Sequence, residues 1–80
     1  LPWTDKKAWL VELLYGLHVM GSLNNADLKK IATLLETAFD TDLGNYSRTF
    51  QEMCLRKKSS TPYLDRMIEM LIKRMDEPNE

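Results

Sequence analysis

Between Asn45 and Lys58 the chain carries Asn45, Ser47, Arg48 and Gln51 at helical spacing, followed by the run Arg56-Lys57-Lys58. Side-chain amides and guanidinium groups form paired hydrogen bonds with base edges in a major groove, Asn and Gln with adenine and Arg with guanine. Arginine and lysine beyond a helix end neutralise backbone phosphates. This stretch therefore predicts a recognition helix and a phosphate clamp. Ser47 and Gln51 face base edges, Arg48 takes a guanine or a phosphate, Asn45 adds a contact near the helix N-terminus, and Arg56, Lys57 and Lys58 straddle the backbone with Ser59, Ser60 and Thr61 as hydroxyl donors. Glu52 on the same face opposes this unless it accepts from a cytosine amino group, and Asp40 and Asp42 in the preceding turn repel phosphate.

The charge distribution agrees. The 80 residues sum to −1, which is not the balance of a strongly basic nucleic-acid binder. Residues 45–61 nevertheless hold Arg48, Arg56, Lys57 and Lys58 against Glu52 alone, a local +3. With 44% hydrophobic and 29% charged residues the chain has the composition of one soluble folding unit. It opens Leu1-Pro2-Trp3 without an initiator methionine or a secretory leader, and so reads as a fragment of something longer. The long uncharged stretch Leu13 to Ala26 includes His18, Gly16, Gly21 and Asn24-Asn25, too short and polar to span a bilayer. The expected compartment is the cytoplasm, which a single cysteine also fits.

Other chemistries lack material. One histidine, His18, and one cysteine, Cys54, supply neither a nucleophile with its base nor the four ligands of a structural zinc. His18 reads as a packed or partly exposed residue of an apolar helix, and Cys54 as a small core residue in line with Tyr46 and Phe50. Gly16, Gly21 and Gly44 stand singly, so no glycine-rich phosphate loop exists, and Asp40 with Asp42 lacks the spacing of a calcium loop. The expectation is a domain with no enzymatic activity, cofactor or metal.

The elements that must position this face are helices. Ala8 to Met20 is apolar on more than one face, the pattern of a central helix, with Thr4 as its cap and Gly21 as its stop. Leu28, Ile31, Ala32, Leu35, Ala38 and Phe39 trace one stripe of a second helix capped by Asn25. A third helix starts between Leu43 and Asn45 with Asp42 as cap. It buries Tyr46, Phe50 and one or both of Met53 and Cys54, and turns Ser47, Arg48, Gln51, Glu52 and Leu55 outward. A fourth starts at Thr61-Pro62 and stripes Leu64, Met67, Ile68, Leu71, Ile72 and Met75, with Glu69 paired to Lys73. Met67, Met70 and Met75 with Met20 are core residues or an adaptable partner groove. The predicted architecture is all-α, a four-helix compact domain with a tri-helical helix-turn-helix or winged-helix-like core and a C-terminal helix.

The segments Asp42-Leu-Gly-Asn-Tyr-Ser-Arg-Thr-Phe50, Trp9-Leu-Val-Glu-Leu-Leu-Tyr-Gly-Leu-His18 and Leu71-Ile-Lys-Arg-Met-Asp-Glu77 make the chain resemble the C-terminal part of RteC-family proteins. These are regulators associated with tetracycline-responsive excision of conjugative transposons. The resemblance implies a helical, winged-helix-like half of a longer protein, acting at a promoter on double-stranded DNA to switch on excision genes. Arg56 to Pro62 is too short for a hairpin wing, so any wing is a bare loop. The slight negative charge implies help from the N-terminal half or a second copy. The alternative is a helical interaction or oligomerisation module using Leu55, Met70 and part of the first helix as an apolar patch.

Overall fold

An apolar run with no polar face becomes a helix that the others surround. The computed structural model describes residues 1–78, which form α1 (Lys7–Met20), α2 (Leu28–Ala38), α3 (Tyr46–Cys54) and α4 (Pro62–Met75). Helices α2, α3 and α4 each pack on α1, and no two of them pack directly on one another. The core lies along α1, where Leu10, Val11 and Leu14 meet Ile31, Ala32 and Leu35 of α2, Leu43 of the connector and Met53 of α3. Burying each such aliphatic side chain contributes about 1.5–3 kcal/mol. No strand occurs among the described residues, and the segment between α3 and α4 is a bare loop.

The helix starts differ from the sequence expectation. Thr4 lies ahead of α1, whose N-cap is Lys6 without a side-chain cap, and the Trp3 indole fixes the entry of the chain by donating to the Lys6 carbonyl at 2.9 Å. Gly21 ends α1 with φ 69, in the left-handed region, where a Cβ would run into the Asn25 side-chain oxygen. Asn24 and Asn25 continue in left-handed conformations, so the chain enters helix only at Asp27. Asp27, not Asn25, caps α2 by accepting from the Lys30 N–H at 2.9 Å. At α3 the cap is Asn45, which accepts from the Arg48 N–H at 3.1 Å, while Asp42 accepts from the Gly44 N–H inside the turn. That turn is anchored by Leu43, whose side chain is buried and whose N–H donates to Glu36 at 2.8 Å.

At the start of α4, Thr61 makes no side-chain cap and Pro62 has no N–H to offer. Buried Glu12 of α1 takes the role from across the molecule. Its two carboxylate oxygens accept from the Tyr63 N–H at 3.1 Å and the Leu64 N–H in a second short bond of 2.6 Å. The next N–H, of Asp65, reaches the Thr61 carbonyl at 2.9 Å, so every donor of the first turn is satisfied. The negative carboxylate also sits at the positive end of the α4 dipole. Around it, Tyr63 packs against Trp9 and Trp3, with ring centroids 5.2 and 5.7 Å apart.

Beyond this attachment α4 leaves the body. From Asp65 onward every described residue is exposed. The radius of gyration, 13.9 Å, accordingly exceeds the roughly 12 Å of a compact chain this long.

Glu12→Ala leaves two half-buried N–H groups unpaired and is expected to cost about 2–5 kcal/mol. Glu12→Gln, which keeps one acceptor oxygen, should lose roughly half as much. Urea denaturation checks both. A Glu12→Ala protein as stable as the parent contradicts the cap.

Candidate nucleic-acid interface

Helix α3 divides into two faces. Inward, Phe50 stacks on Tyr15 of α1 with ring centroids 3.8 Å apart and planes within 7°, and Met53 is buried beneath. Outward, Ser47, Arg48, Gln51, Glu52 and Leu55 are all exposed. The face expected to read bases therefore points to solvent, held from behind by an aromatic stack. Cys54 is exposed as well, which corrects its reading as a core residue. At 100° per residue it falls well to the side of the line through Tyr46, Phe50 and Met53.

Each proposed contact has a definite local state. Asn45 spends its side-chain oxygen on the Arg48 N–H, leaving its amide N–H groups for a ligand. Ser47 is near enough to the Tyr15 phenol to act on its acidity. Arg48 lies 3.8 Å from Glu52 with both side chains largely in water, a pairing worth little and readily exchanged for a phosphate. Gln51 has no partner among the described residues and is the freest of the four.

The structure puts the cations where the helix dipole favours them. Arg56, Lys57 and Lys58 follow the C-terminus of α3, all three exposed and with no ion pair among the described residues. From Arg48 to Arg56 is roughly 12 Å at helical rise, comparable with a major-groove width. The hydroxyls behave otherwise than expected. Ser59 donates to Asp65, Thr61 donates to the other oxygen of Asp65 at 3.1 Å, and the Thr61 N–H donates to Ser59. Ser59 and Thr61 thus fasten the loop to α4, and Ser60 alone is left to meet a phosphate. The N-terminus of α4 is no anion site either, because Glu12 fills it.

Sequence reasoning missed Glu12 and the groove beside it. The groove holds about 460 Å³ between α1, α3 and the first turn of α4, walled by Tyr15, Val19, Phe50, Met53 and Leu64 over Glu12. The signal available was a lone carboxylate inside the apolar run of α1. Its partners, however, lie more than fifty residues away. His18 is half-buried, as read from the sequence. The pair Glu69–Lys73 is replaced by Arg66–Glu69 at 3.0 Å. Among the described residues no group of three His, Cys, Asp or Glu side chains could hold a metal ion, and no helix is long and apolar enough to cross a membrane.

Burial pushes the Tyr15 phenol above its ordinary value near 10, against the lowering effect of nearby Ser47. Tyr63 is raised chiefly by burial too, with Asp5 and Glu12 adding to it. Both folded-state values exceed the unfolded one. Their contribution to stability is complete below about pH 10 and is lost as pH rises through the raised values. Denaturation midpoints should therefore fall above that pH, and the Tyr15→Phe/Tyr63→Phe protein should fall less steeply. An identical alkaline decline in both proteins would refute this assignment.

The family model described as RteC protein matches residues 1–79, nearly the whole chain. Neither the curated proteins nor the solved structures compared with it give a match.

Proposed function

The chain belongs to the RteC family, and on that premise we propose that it is the DNA-binding domain of a cytoplasmic transcriptional regulator. In this reading α1, α2 and α3 form a tri-helical unit of winged-helix type, with a wider space between α2 and α3 than the compact helix-turn-helix allows. Helix α3 enters the major groove of a promoter, with Gln51, Asn45 and Ser47 at base edges and Arg48 on a guanine or phosphate. Arg56, Lys57 and Lys58 hold phosphates. Family membership supports a promoter of conjugative-transposon excision genes as the target.

The observation that carries the reading is the pairing of a solvent-facing polar α3 with three adjacent cations that no carboxylate among the described residues neutralises. A lattice of surface ion pairs would have cancelled that field. Here it stays open for phosphate. The loop that carries it is also held at both ends, by the Tyr15–Phe50 stack before it and by Glu12 and Asp65 after it. A fixed cationic loop loses less entropy on binding than a free one.

The test is titration of the chain into labelled duplexes at several salt concentrations. Replacing Arg56, Lys57 and Lys58 with alanine should weaken binding to all sequences and flatten the log–log salt slope by up to roughly 2.7. Arg48→Ala and Gln51→Ala should instead relax sequence preference with a smaller loss of affinity, each by about 1–3 kcal/mol of discrimination. Binding that survives both sets of changes would sink the reading.

A further inference from the structure

Residues 45–61 contain one acidic side chain, Glu52, and it stands on the outward face of α3 with Ser47, Arg48 and Gln51. A carboxylate there repels phosphate and weakens attraction to every DNA sequence alike. Its local state shows what else it can do. The carboxylate lies 3.8 Å from the Arg48 Nε, beyond hydrogen-bond length, and neither oxygen accepts a hydrogen bond among the described residues. The ion pairs of α4 are built differently. Arg66 and Arg74 each donate a terminal nitrogen, Nη1, to a carboxylate at 3.0 and 3.1 Å. Arg48 faces Glu52 through Nε instead, so both of its terminal amino groups stay open.

We infer, resting on the reading that α3 enters a major groove, that Arg48 and Glu52 together read one G·C base pair. Arg48 donates to the guanine and Glu52 accepts from the amino group of its cytosine. An ionised carboxylate only accepts hydrogen bonds, and the donors on a major-groove edge are the amino groups of cytosine and adenine. Guanine and thymine would leave Glu52 against acceptors or a methyl group, unpaired.

The arginine decides between cytosine and adenine. Two open terminal amino groups form a fork that matches O6 and N7 of guanine, the partner of cytosine, whereas thymine, the partner of adenine, offers O4 alone. Guanine O6 and cytosine N4 are hydrogen-bonded to each other, about 2.9 Å apart, so two side chains 3.8 Å apart can meet both. The same carboxylate selects the partner of Arg48, because a phosphate drawn to Arg48 would also meet Glu52 and guanine carries no charge. Phosphates are left to Arg56, Lys57 and Lys58. Glu52 is thus a specificity residue, which lowers affinity for the wrong sequence more than for the right one.

Selection from a randomised duplex library at low salt should return sites that share a G·C pair. Glu52 is exposed and alanine is a good helix former, so Glu52→Ala keeps the fold, which circular dichroism checks. The variant should hold unrelated duplexes at least as tightly as the parent. The decisive comparison replaces the selected cytosine with deoxyzebularine, a cytidine analogue without the amino group, and measures both proteins on both duplexes. The lost Watson–Crick bond is common to both proteins and cancels in this cycle. The parent should then lose roughly fivefold or more affinity beyond what the variant loses. Equal losses overturn the inference, as do selected sites without a G·C pair or weaker binding of unrelated duplexes by Glu52→Ala, and each leaves DNA binding by α3 standing. A chain that binds no duplex removes the DNA reading and this inference with it.

Discussion

A buried carboxylate at the start of another helix organises this molecule. Glu12 sits inside the apolar wall of α1, a position where an unpaired charge would cost several kcal/mol. The cost is offset because the first turn of α4 presents two N–H groups that nothing else satisfies: Thr61 turns its hydroxyl to Asp65, and Pro62 has no donor. Each side of the contact would be unstable without the other. That mutual dependence fixes where α4 begins, and therefore where the loop ahead of it must end.

The consequence for function runs through that loop. Residues 55–61 connect α3, seated on Tyr15 through Phe50, to α4, seated on Glu12. Both anchors are on α1. A central helix that touches everything thus sets the separation between the polar face of α3 and the cations that follow it, with α2 bracing the opposite side through Leu43 and Glu36. The far half of α4 has no such anchor. Its stability within the chain rests on helix propensity and local ion pairs, which contribute only a few tenths of a kcal/mol each. The molecule divides into a body that holds the cationic edge in place and an apolar arm that extends from it.

Much of this was legible in the sequence because it depends on periodicity. The α2 stripe, the all-round apolar α1 and the stop at Gly21 follow from local pattern, and the structure has all three. Caps were harder to read. Asn24, Asn25, Asp27, Asp42 and Asn45 are all suitable cap residues, and only the backbone path decides among them. Two consecutive left-handed residues delay α2 to Asp27, and an early buried leucine delays α3 to Asn45. The outward face of α3 was readable, but the use of Ser59 and Thr61 was not, since it required knowing that Asp65 faces back toward the loop. Glu12 was invisible for the same reason on a longer scale. The α4 stripe shows the limit from the other direction: the pattern declares an apolar face and says nothing about what covers it.

The claim that joins these parts is that nucleic acid meets the chain at α3 and the adjoining loop. Amide chemical shifts followed while duplex DNA is added at low salt test it most directly, because the chain offers a rival basic site at Lys29 and Lys30 on α2. The account predicts shifts concentrated between Asn45 and Ser60, fading as salt is raised, with the α4 stripe and α2 unchanged. Shifts centred on Lys29 and Lys30, or spread evenly over the surface, would contradict it.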